Sequence, residues 1–134
     1  MKESLLILHL IALAAGFGSA VLLDISIVAE QFRPSIKLVH LGSKVILISL
    51  IAVWITGAGL LYLSPEKLEE LRVLTKLGIV GALTLNGFII HRWAIPMVAS
   101  GAPLEPRQLV AGTVLAQISF VGWLVPLVLA VVRF

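Results

Sequence analysis

Eight polar side chains lie within or beside long apolar runs of this chain: His9, Asp24, His40, Lys44 and His91, with Lys76, Asn86 and Gln117 as supporting groups. An ionisable group at bilayer depth costs at least about 2.5 kcal/mol, so each is a functional candidate until a structural partner accounts for it. His40 and Lys44 are four residues apart and share one helix face, while Thr84, Gly87 and His91 share another by their spacings of three and four. A glycine one turn from a histidine leaves a flat recess for a planar ring. Two histidines at similar depth on antiparallel helices are how a helix bundle ligates b-type haem. The same pair would serve the magnesium of a chlorophyll, and Arg92 next to His91 could hold haem propionates by paired hydrogen bonds. Asp24 with His40 and His91 would also make a two-histidine, one-carboxylate metal site drawn from three helices.

Each of these groups also has a plainer reading. Lys44 can pair with Asp24 across the first two helices, offsetting two buried charges. His40 and His91 can be polar interface residues, in the company of Trp93 and Tyr62 as an aromatic belt. His9 can be satisfied at a helix contact among small residues, and Gln117 can be an interhelical hydrogen-bonding group.

The elements that must position these residues follow from composition. The chain has 134 residues, 60% hydrophobic and 13% charged, with a mean hydropathy of +1.12. A soluble domain carries about 45 to 50% apolar and 25% charged residues, so the expectation is an integral membrane protein of one domain, residues 1–134. The formal charge of +3 is spread over apolar segments rather than clustered on a face, which excludes a nucleic-acid partner. With no cysteine, disulfides, thiolate metal sites, cysteine-ligated iron–sulfur clusters and covalently attached c-type haem are excluded.

A spanning helix needs about 20 mostly apolar residues, and four stretches qualify: Leu5 to Val28, Leu38 to Leu63, Val73 to Ile90 and Leu109 to Val132. The fold class is all-α integral membrane, an antiparallel bundle of four transmembrane helices over residues 5–28, 36–63, 66–95 and 107–132, both termini on one side. Helix one begins like a signal peptide, with Lys2 and the small residues Gly18, Ser19 and Ala20, but its apolar run continues to Val28 and is too long for one. Pro34 ends the first connection. Ser64-Pro65-Glu66 reads as an N-cap, an N1 proline and an acid at the start of helix three. The amphipathic turns after it, with Leu68, Leu71 and Leu74, lie at the lipid surface before a bend near Thr75. Pro96 kinks or ends helix three, Pro106 opens helix four and Pro126 kinks it.

Side A, with both termini and the second loop, carries Lys2, Lys67, Arg72, Lys76 and Arg133, and side B carries Arg33, Lys37, Lys44, Arg92 and Arg107. That balance does not orient the chain, and the short side A loop makes cytoplasmic termini the working reading. Ala12, Gly16 and Ala20, Gly57 and Gly59, and Gly78, Gly81 and Gly87 mark faces for close helix packing.

Helix one, with Leu8-His9-Leu10-Ile11 and small residues from Gly16 to Ala20, and helix three, with Thr75-Lys76-Leu77-Gly78 leading to Asn86-Gly87 and Ile90-His91, resemble small four-span bacterial membrane proteins. More distantly they resemble the HemJ family of membrane protoporphyrinogen IX oxidases and the copper-resistance D domains. In the HemJ family a histidine early in helix one and a lysine at the start of helix three form the functional pair, and His9 and Lys76 match them. The resemblance implies a haem b at or near His9, with Lys76 near a propionate. It also leads to the expectation of a Leu-Pro-Arg-type basic segment after the glycine of helix one, where this chain has Leu22-Leu23-Asp24-Ile25-Ser26.

Three functions follow as expectations. The first is a b-haem-binding protein of the bacterial inner membrane with a redox or tetrapyrrole role, HemJ-like as an oxidoreductase. His9 is its leading iron ligand, and His40 with His91 is the alternative pair. The second is a non-enzymatic accessory subunit of a respiratory or photosynthetic complex, or a homo-oligomer in the lipid bilayer. The third is a small transporter using an intramembrane network of Asp24, Lys44 and Asn86.

Overall fold

The computed structural model describes residues 1–29, 36–100 and 105–131. The Pro34 connection, Arg33 and Arg133 lie outside them. Long, mostly apolar runs with no internal proline give α1 (Lys2–Ala29) and α2 (Ile36–Leu63). After a 3₁₀ turn at Pro65–Glu69 come α3 (Leu71–Ile89), a π-helical turn at Ile90–Ala94, α4 (Ile95–Ala99) and α5 (Pro106–Val131). Four segments are long and apolar enough to cross a membrane: Lys2–Ser26, Lys37–Leu63, Leu71–Met97 and Pro106–Ala130. The protein is an all-α four-helix bundle of the multi-pass membrane type.

Pairwise contacts fix an antiparallel register. Lys2 Nζ donates to Ser64 Oγ at 2.7 Å, and Leu23 packs on Gly42 at the other end of the same helix pair. Asn86 Nδ2 donates to the Leu115 carbonyl at 3.1 Å, while Leu83 packs on Gly122, so α3 and α5 also run in opposite directions. Packing is closest between α1 and α2, and α5 lies against both α1 and α3. The apolar centre is Leu13, Ala20, Leu50, Val53, Leu83 and Trp123. Phe17 and Phe120 add a tilted ring pair, their centroids 5.5 Å apart, in the range where aromatic quadrupoles attract.

Two local expectations, the Ser64 cap and the bend near Thr75, change. Ser64 does not cap a helix with its side chain. Its hydroxyl accepts from Lys2, Pro65–Glu69 forms a separate 3₁₀ turn, and extended backbone at Glu70 (φ −74°, ψ 123°) supplies the bend. Helix three therefore starts at Leu71, and the direction changes at Glu70 rather than near Thr75, whose hydroxyl donates back to the Leu71 carbonyl at 2.8 Å. Pro96 neither stops the chain's helicity nor leaves it regular. A proline cannot donate to the carbonyl four residues back, and the widened turn at Ile90–Ala94 absorbs that mismatch just before it. The helix of α5 continues through Pro126 to Val131. Pro106 occupies the expected first-turn position, and Gln108 Oε1 accepts from the Glu105 N–H at 2.9 Å, half of a capping box.

Candidate functional site

His9 enters from α1 seven residues after Lys2, and Thr56 lies seven residues before the end of α2. Antiparallel packing therefore brings them to one level. His9 Nδ1 is 2.8 Å from Thr56 Oγ1. The Thr56 hydroxyl, buried in the helix contact, gives its one proton to the Ala52 carbonyl at 2.6 Å. With that proton on the carbonyl, Thr56 accepts from the histidine in the tautomer that carries its ring proton on Nδ1 and leaves Nε2 as a lone-pair donor. Gly57 flanks the ring, where an added Cβ would already touch His9 Cε1 at 3.5 Å. His9, early in α1, and Lys76, early in α3, both lie toward the side A end of the bundle.

A second polar group of residues lies at the side B end, around a cavity of about 340 Å³ lined by all four spanning segments. Asp24 lines it from α1, Ser43 from α2, Thr84 and Gly87 from α3, His91 from the π-helical turn and Gln108 from α5. Thr84, Gly87 and His91 thus share the face their spacing predicts. Ser43 Oγ lies 3.3 Å from His91 Nδ1, and Trp54 Nε1 donates to Thr84 Oγ1 at 2.9 Å. Both bonds join α2 to the third spanning segment at the cavity wall.

Other expected constellations do not assemble. His40 and Lys44 do share a face of α2, but it is the exposed one, in line with Leu41, Ile48, Ile51 and Ile55. His40 therefore does not converge with His91 in the cavity wall. Lys44 makes no ion pair with Asp24 among the described residues. No group of three His, Asp or Glu side chains among the described residues could hold a metal ion, which removes the Asp24, His40 and His91 site. The reason is angular: Val39, Ser43, Ile46 and Leu50 face the bundle, and a step of one residue turns His40 and Lys44 by about 100° away from it. Asn86 is buried and bonded to the Leu115 carbonyl, so it braces α3 against α5 and joins no network with Asp24 and Lys44. Gln117 is exposed and bonds to no described residue. Arg92 is exposed beside His91 at side B, far along the bundle from His9.

Thr56, Ser43 and Trp54 escaped the sequence reading because hydroxyls and an indole carry no charge penalty in an apolar run. Counting inward from helix ends would have found Thr56 opposite His9. No protein-family model, curated protein or solved structure matches the chain.

Proposed function

We propose that the chain is a bacterial inner-membrane protein that holds a b-type haem, with His9 as axial donor and Lys76 beside a propionate. The observation that carries this reading is the hydrogen-bond chain from His9 Nδ1 through Thr56 Oγ1 to the Ala52 carbonyl. An imidazole that ligates a metal characteristically donates its other ring N–H to a fixed acceptor, which sets tautomer and orientation. In its Nδ1–H tautomer His9 meets that requirement with Nε2 left for iron, which supports the reading. A haem held there would supply one-electron redox chemistry, consistent with an oxidoreductase or tetrapyrrole-handling role. The inner-membrane assignment rests on the resemblance to small bacterial four-span proteins.

Haem content measured on protein expressed with haem supplied tests the reading. Near one haem per chain is expected for the native sequence and for the His40→Ala, His91→Ala double variant, with loss on His9→Ala. Retention of haem by His9→Ala removes His9 as the ligand.

A second reading has its own observation. Gly78 and Gly81 on α3 have no neighbouring side chain within 4 Å of an added Cβ, and in lipid such small-residue positions are where another helix approaches. This favours an accessory subunit or a homo-oligomer. Extraction in mild detergent should then retain a partner or a second copy, and Gly78→Leu with Gly81→Leu should release it.

A further inference from the structure

The side B cavity has no part in the proposed haem site, and its wall has an electrostatic gap. Two ionisable groups line it, Asp24 and His91, and no lysine or arginine does. His91 is tethered to Ser43. Asp24 is half-buried and has neither a hydrogen-bond donor nor a cation beside it among the described residues. Lys44, Arg92 and Arg107 are exposed and outside the lining. A carboxylate in an apolar wall normally has a partner, and here the cavity in front of it is the place for one.

The cavity has a direction. Asp24, Ser43, His91 and Gln108 lie toward the side B surface, whereas Leu50, Leu83 and Trp123 close the deep end near the middle of the bundle. An occupant therefore has a polar head at the headgroup level and an apolar body pointing inward. Access is sideways. The α2–α3 bridges at Ser43–His91 and Trp54–Thr84 are eleven residues apart on α2, about 16 Å at 1.5 Å per residue. Leu47 and Phe88, which lie between those bridges in sequence, both line the cavity and are more than half exposed, so they stand at an opening toward lipid. Gly87 leaves the wall open at that level, with no atom within 4 Å of an added Cβ. A volume of about 340 Å³ is at the small end of ligand pockets. It suits one ring system or one short chain.

We propose that this cavity binds small lipophilic amines, the ammonium at Asp24 and the apolar body against Trp123, entering from the bilayer between Leu47 and Phe88. Charge complementarity selects the head, and the apolar floor selects the body.

The test is equilibrium dialysis of the full chain in phosphatidylcholine nanodiscs, with propranolol as the amine and its naphthyl ether lacking the amine as the neutral body. Saturable binding near one per chain is expected, with at least tenfold preference for the amine over the neutral ether. Asp24→Asn should abolish that preference and leave the neutral ether unchanged, and Gly87→Leu should weaken both by filling the cavity. Equal amine binding by the native chain and Asp24→Asn, undiminished binding by Gly87→Leu, or uptake no greater than in empty nanodiscs overturns the proposal. If Asp24→Asn does not fold, the native chain alone decides, because equal binding of amine and neutral ether also overturns it. Haem content, read separately by absorbance, reports on His9 and not on this cavity.

Discussion

A Cβ built on Gly16 would overlap the six-membered ring of Trp123, the most deeply buried large side chain in the bundle. The indole of α5 meets the backbone of α1 at this point, and glycine is the residue that permits it. Without a hydrophobic driving force between helices in lipid, close contact of this kind is what holds α1 and α5 together.

Gly16→Ala should therefore destabilise the bundle by about 1–3 kcal/mol, the usual cost of overpacking. Gly18, two residues on, has nothing within 4 Å of an added Cβ, so Gly18→Ala should be neutral or slightly stabilising. Thermal unfolding of the two variants in the same detergent separates them, and equal melting points would contradict this packing.

Asn86 is buried and its amide reaches the Leu115 carbonyl. Asn86→Leu removes one interhelical bond, which in a membrane is worth about 0.6 kcal/mol on average and under about 2 at most. A modest loss of stability with unchanged haem content is expected. Loss of haem with unchanged stability would place Asn86 in a binding site instead.

The fold was far more legible than the site. Span number and order follow from apolar length alone, and Pro106 marked its helix start because its missing N–H is harmless there. Ser64-Pro65-Glu66 carried equally good start signals, yet the Ser64 hydroxyl is taken by Lys2 from a distant part of the chain. His40 and Lys44 were placed on one face correctly, but which face meets the bundle depends on packing against α1 and α3. That rotation is a tertiary property with no counterpart in local spacing.

The widened turn at Ile90–Ala94 carries one extra residue relative to a regular helix. Pro96→Ala should let this turn revert, rotating Ile95 and Met97, which line the cavity, by about 100° relative to α3 while His91 keeps its register. Because the chain has no cysteine, Ser43→Cys with His91→Cys gives a clean readout. The pair should cross-link both with Pro96 and in the Pro96→Ala background. Loss of the cross-link in Pro96→Ala would show that the widened turn, and not α3, sets the direction of His91.

Thr56→Val preserves the shape of the threonine and removes the acceptor for His9 Nδ1. The imidazole then loses its fixed tautomer, and loss of such a supporting hydrogen bond typically costs about 10 to 100-fold in metal affinity. Haem retention under dilution should fall accordingly while the helical content holds. Unchanged retention would separate Thr56 from the site.

The most direct measurement is the absorption spectrum of the full chain purified in mild detergent from cells supplied with haem, oxidised and then reduced with dithionite. A Soret band that shifts to the red, with a sharp alpha band on reduction, is the predicted result, and both features should vanish in His9→Ala. A featureless spectrum from the folded native chain would contradict haem binding at His9.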